Sequence, residues 1–152
     1  MASYATSSLS RAGLIESHQN SSRGYSTSPK QTHALLSIRP QYANAIFCGE
    51  KRYEFRRVIF RKAVDVVVVY VTTPVCTVVG EFEVQEIICD RVARLWSRTY
   101  DKAGVKRELF FDYFAGCDVG YAIGIGNVRR YTQPLDLARN FGVRPPQSFV
   151  YI

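Results

Sequence analysis

Apolar residues along the chain fall into short runs that predict alternating strands and helices. The run over residues 34–38 predicts a first strand, and apolar residues at helical spacing between Pro40 and Gly49 predict a short helix after it. Pro40 suits the first position of a helix, and Gly49 can adopt the left-handed conformation that ends one. A charged strand is predicted from residue 51. The β-branched run 65–71 lacks alternation, as expected of a central strand that is covered on both faces.

The second half of the chain predicts two long strands separated by a pair of helices. Residues 76–88 alternate in part between apolar and polar, and Gly80 in their middle predicts a bulge or a tight bend. Helical spacing of apolar residues over 92–103 and 109–114 predicts the two helices. Two further strands complete the order β-α-β-β-β-α-α-β-β: residues 120–131 and 148–152. This order predicts an α+β fold, a small mixed β-barrel with a short helix after the first strand and a two-helix insertion.

The inserted helices carry an apolar stripe and a set of cations. The stripe consists of Leu109, Phe110, Tyr113 and Phe114. Because helical stripes usually face inward, we expect these residues to pack in the core, with a base-stacking platform as the alternative. The cations either attract phosphate or form an ordinary solvated helix surface. They are Arg91, Arg94, Arg98, Lys102, Lys106 and Arg107.

The first thirty residues differ in composition from everything after them. Nine of them are serine, and Glu16 is their one acidic residue. Such a segment buries too little apolar surface to offset the entropy of ordering it. A transit peptide, also rich in serine and poor in acids, is the alternative interpretation. The sequence therefore predicts a disordered Ser-rich leader over residues 1–31 and one folded domain over residues 32–152.

Composition and charge indicate which binding partners and which cellular compartment to expect. The chain has 152 residues, a net charge of +7 and a pI of about 9.4, which favours phosphate-rich partners and nucleic acid above all. No apolar stretch approaches the roughly 20 residues that cross a bilayer, so no membrane partner is predicted. The cysteines are scattered and form no C-x-x-C pair, which predicts no metal site, no cofactor and buried reduced thiols in a cytoplasmic protein. They are Cys48, Cys76, Cys89 and Cys117.

The strand that begins at Lys51 is dense in charged and aromatic side chains, and we interpret it as the working surface. Alternation divides its side chains between two faces: Arg52, Glu54 and Arg56 on one, and Tyr53, Phe55 and Arg57 on the other. Glu54 should stay ionised because opposite charges flank it, and it can then accept hydrogen bonds from the edge of a base. An arginine can hold phosphate or stack on a ring. The alternative is a salt-bridged, solvated edge that binds nothing.

The glycine-rich strand over residues 120–131 has one nearly bare face. Its small residues are Ala122, Gly124 and Gly126. Something large must approach that face, either a packed neighbour or a ligand. Tyr121, which alternates with these small residues near the start of the strand, is included in the candidate site.

The charged strand and its surroundings resemble a known family. The motif is Gly49-x-Lys51-x-x-Glu54-x-Arg56, and it is preceded by Leu36-Ser37-Ile38-Arg39-Pro40-x-Tyr42-Ala43. Later segments continue the likeness: the valine-rich strand to Tyr70, Val79-Gly80-Glu81-Phe82, the helical pair and Pro145-Pro146-Gln147-Ser148-Phe149. Over residues 33–152 the chain resembles the ASCH domain of the PUA-like superfamily. The resemblance implies a β-barrel with a cleft beside the motif that binds RNA or a nucleotide-like ligand.

The resemblance also implies which side chains line that cleft. Lys51, Glu54 and Arg56 come from the motif, and Ser37 and Arg39 lie at the end of the adjoining strand. The full expected ligand-binding set is Ser37, Arg39, Lys51, Tyr53, Glu54, Arg56, Arg57 and Tyr121. The implied function is recognition of RNA or a modified nucleoside in a basic cleft, in transcription- or translation-linked regulation. The oligomeric state is left open.

Some relatives of this kind are enzymes, so a hydrolase is the alternative function. An ASCH-type amidohydrolase that deacetylates acetylated cytidine uses a lysine, a threonine three residues later and a distant glutamate. Lys51 matches the lysine, but Glu54 replaces the hydroxyl nucleophile, and the nearest carboxylate for the third role is Asp101. In a ribonuclease-like enzyme, Lys51 and Glu54 would act as acid and base while Arg56 stabilises charge on phosphate. A third class is an interaction module without a ligand. We favour binding over catalysis.

Overall fold

A computed structural model describes residues 29–152. Most of the predicted leader, residues 1–28, lies outside the described residues. Residues 29–32 form no regular element, and the first strand begins at His33.

The described elements follow the predicted order with one addition near the C-terminus. Their bounds are β1 His33–Ile38, α1 Pro40–Phe47, β2 Tyr53–Arg56, β3 Val66–Val71, β4 Thr77–Arg91, α2 Val92–Thr99, a 3-10 turn Tyr100–Lys102, α3 Arg107–Tyr113, β5 Val119–Leu135, α4 Leu137–Phe141 and β6 Phe149–Tyr151. The short helix after β1 and the two-helix insertion are confirmed. The addition is helix α4, which lies between the last two strands, where no helix was predicted.

The six strands form one curled half-barrel sheet in the order β2-β5-β4-β3-β1-β6. β1 and β3 are parallel, and every other neighbouring pair in this sheet is antiparallel. The mixed α+β fold is therefore confirmed. Arg56, the last residue of the edge strand β2, contacts the residue that precedes the other edge strand, β6: Arg56 Nη2 donates a hydrogen bond of 2.6 Å to the carbonyl oxygen of Ser148. This contact places the end of β2 beside the segment that leads into β6.

The central position of β3 follows from its sequence. All six of its residues are buried, as its unbroken β-branched run predicted. Its inner face packs with β1, α1 and β5 in the main core, and its outer face is covered by a cluster that includes Leu137 of α4. Gly80 in β4 lies opposite Val69, beside a register shift that confirms the predicted bulge.

The two-helix insertion builds a second core against β2 and β5. Phe110 and Phe114 are buried there, and the Phe55 ring centroid of β2 lies 4.9 Å from that of Phe110. The prediction that all four residues of the apolar stripe pack in the core is wrong for the other two. Leu109 and Tyr113 are 51% and 38% exposed. The reason is that the four residues of the stripe span a wider arc of α3 than the part of the helix that the sheet covers.

The cysteines correct one expectation of the sequence analysis. All four are free thiols, but three of them are exposed: Cys48, Cys76 and Cys89. Cys48 follows α1 and Cys76 lies in the turn before β4, so neither faces a core. Because most of these thiols are exposed, the expected burial does not support a cytoplasmic location, which stays a prediction. Among the described residues, no helix is long and apolar enough to cross a membrane.

Candidate functional site

A cavity of about 490 Å³ opens where the ends of β1 and β2 meet α3 and the segment before β6. Four cations and one carboxylate line it: Arg39, Lys51, Arg56, Arg57 and Glu54. The remaining lining is aromatic, aliphatic or neutral polar: Tyr42, Phe55, Phe110, Tyr113, Ile38, Val105, Leu109, Ser37 and Gln147. Six of the eight predicted site residues therefore meet in one place.

Lys51 lines this cavity and is 2% exposed. Its Nζ donates a hydrogen bond of 3.0 Å to the carbonyl oxygen of Ala103 and lies 3.8 Å from Glu54 Oε2. The ammonium also lies 5.3 Å from the centroid of the Tyr42 ring and 4.8 Å from that of Phe55. Lys51 thus lines the cavity, and these contacts fix its ammonium in place. Burial lowers its pKa from 10.5, and the carboxylate of Glu54 opposes that shift.

The loop after α2 holds Lys51 in place through Gly104. This glycine has φ of +62°, and a Cβ built on it would lie 2.4 Å from Lys51 Cβ and 2.8 Å from Lys51 Cα. The loop backbone thus contacts the lysine stem directly, while the carbonyl of Ala103 binds its ammonium. Nothing in the sequence indicated that Gly104 contacts the site.

Glu54 is 7% exposed and lies between two cations. Its Oε2 is 3.8 Å from Lys51 Nζ, and its Oε1 is 3.7 Å from Arg56 Nη1. Of the two arginines expected to flank Glu54, Arg56 does, whereas Lys51 takes the place expected for Arg52. Arg52 precedes β2 and does not line the cavity.

The segment before β6 closes one wall of the cavity. Ser37 Oγ donates a hydrogen bond of 2.8 Å to the Pro146 carbonyl, and Arg56 donates to the carbonyl of Ser148. Gln147, between these two anchored residues, lines the cavity with an exposed side chain. The resemblance had included this segment, but it did not indicate that the segment belongs to the site.

Two predicted site residues do not line the cavity, Tyr53 and Tyr121. Tyr53 packs instead against the second core. Tyr121 lies opposite Arg56 in the β2–β5 register, but beyond the cavity lining. The bare face of β5 is filled by the chain itself, because a Cβ on Gly124 would lie 2.8 Å from Cγ of Glu86 in the neighbouring strand β4. A packed neighbour, rather than a ligand, therefore explains the small residues there.

The arrangement suits recognition of an anion that also carries a planar group. Its positive charges exceed its negative charges, and its carboxylate offers acceptors beside aromatic walls. Asp101, considered as the third carboxylate of an amidohydrolase, is exposed and outside the lining, so that constellation is not assembled. Among residues 29–152, no three His, Cys, Asp or Glu side chains cluster as metal ligands would.

Comparison with known proteins identifies the class to which this fold and site belong. The sequence pattern of the ASCH domain matches residues 36–134, and the chain belongs to the ASCH domain family. It is 31% identical over 129 residues to a protein named "ASCH domain-containing ribonuclease" from Zymomonas mobilis, covering 82% of this chain and 86% of that protein.

Two solved structures of an ASCH protein agree with this assignment. The crystal structure of ASCH from Zymomonas mobilis aligns with a TM-score of 0.73 at 30% identity, covering 79% of this chain and 87% of that one. A serine-to-alanine variant of the same protein gives 0.74 at 28% identity, covering 82% and 91%. The chain is also 32% identical over 124 residues to a Ureaplasma parvum protein named "ATP synthase subunit alpha", covering 81% of this chain but 15% of that protein.

Proposed function

We propose that this protein binds RNA or a nucleotide-like ligand in the cavity beside β2. The observation that carries the proposal is Glu54, held 3.8 Å from Lys51 and 3.7 Å from Arg56 inside that cavity. A carboxylate between two cations in a concave site offers a ligand hydrogen-bond acceptors and hydrogen-bond donors that lie within a few ångströms of each other. The relative named as a ribonuclease supports RNA as the ligand class.

Size and charge both fit a nucleotide. A volume of about 490 Å³ falls within the roughly 300–1,000 Å³ of typical small-molecule sites. Four cations against one carboxylate leave a surplus of positive charge for phosphate. Neutral ligands gain nothing from that surplus, and a phosphate without a base leaves the aromatic walls unused.

Each side chain has a role that its position allows. Glu54 accepts hydrogen bonds from the amino or imino edge of the base, a recognition mode available only to unpaired nucleotides. Arg39 is exposed at the mouth and holds phosphate. Lys51, buried and bound to the Ala103 carbonyl, keeps the carboxylate of Glu54 in position. A modified nucleoside is a ligand of the same class, and binding it in the cytoplasm would suit transcription- or translation-linked regulation.

The test is fluorescence anisotropy with a labelled single-stranded RNA at several salt concentrations. Wild-type affinity should fall steeply with salt, with a log–log slope of about 0.7 for each phosphate neutralised. Arg56→Ala should weaken binding about 10- to 150-fold, because hydrogen bonds to charged groups contribute about 1.5–3 kcal/mol. Arg129→Ala is the matched control, since Arg129 is also paired with a glutamate but lies outside the cavity. Equal affinities for the two variants would refute the site.

RNA hydrolysis at the same site is the second candidate function. It is favoured by the lowered pKa of Lys51, which makes the ammonium a better acid, next to Glu54. Glu54 would accept the 2′-hydroxyl proton as the 2′-oxygen attacks phosphorus, and Lys51 would protonate the departing 5′-oxygen. Arg56 would stabilise the charge that builds on the phosphate oxygens.

Product analysis on denaturing gels separates hydrolysis from binding alone. If the protein is a hydrolase, wild type and Lys62→Met should both cleave RNA, and Lys51→Met should lose cleavage. Lys62 is an exposed lysine outside the cavity, so it controls for the loss of one positive charge. An unchanged rate in Lys51→Met removes Lys51 from the chemistry, and wild-type binding without cleavage leaves binding as the function.

A further inference from the structure

The outer rim of the cavity carries an exposed, partly apolar surface. We call it the outer platform and define it as Arg57, Leu109 and Tyr113. Leu109 and Tyr113 are 51% and 38% exposed, and all three side chains belong to the cavity lining. The guanidinium carbon of Arg57 lies 4.7 Å from the centroid of the Tyr113 ring. The platform is therefore a stacked cation and ring, continuous with the interior of the site.

The platform is held in place by the second core. Leu109 and Tyr113 are four residues apart on one face of α3, and each is next in sequence to a phenylalanine that is buried, Phe110 and Phe114. The Tyr113 ring meets Phe114 edge to face at 4.9 Å between centroids. A rigid ring costs little conformational entropy when a ligand stacks on it.

We propose that the outer platform stacks a second nucleobase, so that the ligand is a single strand of at least two nucleotides and not a free nucleotide. The inference rests on the proposed function, in which the cavity takes the first nucleotide. The next base of the strand leaves the cavity over its rim, where Arg57 and Tyr113 provide a planar cationic and aromatic surface. Base stacking on such surfaces tolerates any sequence, because every base has a π-face.

A nucleobase fits this surface better than a protein partner does. The exposed apolar groups of the platform are two side chains, far fewer than the 20–30 residues per side of a standard protein interface. The platform also adjoins the three other cavity cations, which together with Arg57 attract a phosphate strand. The backbone phosphate that joins the two nucleotides would lie between the cavity and the platform, within that positive field.

The experiment isolates the second base from the second phosphate. Calorimetry would compare a nucleoside monophosphate, a dinucleotide and a dinucleotide of equal charge that lacks the second base. The intact dinucleotide should bind about 5- to 150-fold more tightly than the abasic one, as expected for one stacked base. Tyr113→Ala should reduce that ratio about fivefold or more, whereas Tyr113→Phe should keep it. Tyr100→Ala is the matched control, because Tyr100 is 62% exposed but lies outside the cavity lining.

The outcomes separate the platform from the proposed function. If neither the monophosphate nor any dinucleotide binds, the proposed function itself fails. If the monophosphate binds but intact and abasic dinucleotides bind equally, only the platform is refuted. It is also refuted if Tyr113→Ala leaves the ratio unchanged but abolishes self-association in ultracentrifugation, which would assign the surface to a contact between copies of this chain.

Discussion

Replacing Gly104 with alanine tests the contact that fixes Lys51. The new Cβ would lie 2.4 Å from Lys51 Cβ, 2.7 Å from Cγ and 2.8 Å from Cα, whereas carbon atoms in contact are about 3.5–4.0 Å apart. Because the overlap includes the backbone of Lys51, a change of side-chain rotamer cannot relieve it. Either the loop or Lys51 must move, and each movement disturbs the hydrogen bond from Lys51 Nζ to the Ala103 carbonyl.

The magnitude follows from two separate costs. A non-glycine residue in the left-handed region costs about 1–2 kcal/mol. Overpacking adds about 1–3 kcal/mol. Gly116→Ala is the matched control, because Gly116 has φ of +80° but no atom within 4 Å of the added Cβ. We therefore expect Gly116→Ala to lose about 1–2 kcal/mol of unfolding free energy and Gly104→Ala about 2–5 kcal/mol.

Urea denaturation followed by circular dichroism measures both losses. RNA affinity, measured on the folded fraction, should fall in Gly104→Ala and stay near wild type in Gly116→Ala, since only the first change moves Lys51. Equal losses of stability in the two variants would refute the packing argument. A destabilised Gly104→Ala with unchanged RNA affinity would show that the position of Lys51 does not matter for binding.

Two further predictions concern pH and helix capping. Burial lowers the pKa of Lys51 in the folded chain below its usual value of 10.5. At a pH between that lowered pKa and 10.5, the unfolded chain holds more protons than the folded chain, so the stability that Lys51 contributes rises with pH. Denaturation at stepped alkaline pH should show a rise in unfolding free energy that Lys51→Met lacks, and identical profiles for the two proteins would contradict the prediction. Asp136 Oδ1 accepts a hydrogen bond of 2.7 Å from the N–H of Arg139 at the start of α4. Asp136→Ala should lose about 1 kcal/mol in urea denaturation, and an unchanged midpoint would show that this cap does not stabilise the fold.

Local patterns predicted the elements that depend on neighbouring residues. The unbroken β-branched run became the buried strand β3, Pro40 became the first residue of α1, and Gly80 lies beside a bulge. Helix α4 was missed because it has five residues, although Asp136 as N-cap and Gly142 as a left-handed stop were both readable signals.

The site could be predicted only where its residues are close in sequence. Lys51, Glu54 and Arg56 belong to one motif, and they meet in the cavity. By contrast, Arg56 and Ser148 are 92 residues apart, and their contact depends on the curl of the whole sheet. Likewise, which residues of the α3 stripe are buried and which are exposed depends on the part of the helix that the sheet covers. The spacing of residues along the sequence does not determine which part that is. The exposure of Tyr113 was therefore beyond the reach of sequence reasoning.

The most direct test of the central claim is the RNA affinity of Glu54→Gln beside that of Glu81→Gln. Glu81 is a matched control because it is paired with Arg129 at 2.6 Å and lies outside the cavity. Both substitutions raise the net charge by one, so general attraction to phosphate favours tighter binding equally in both. If Glu54 accepts hydrogen bonds from a base, Glu54→Gln should bind about tenfold or more weakly while Glu81→Gln does not. Equal or tighter binding by Glu54→Gln would contradict the account.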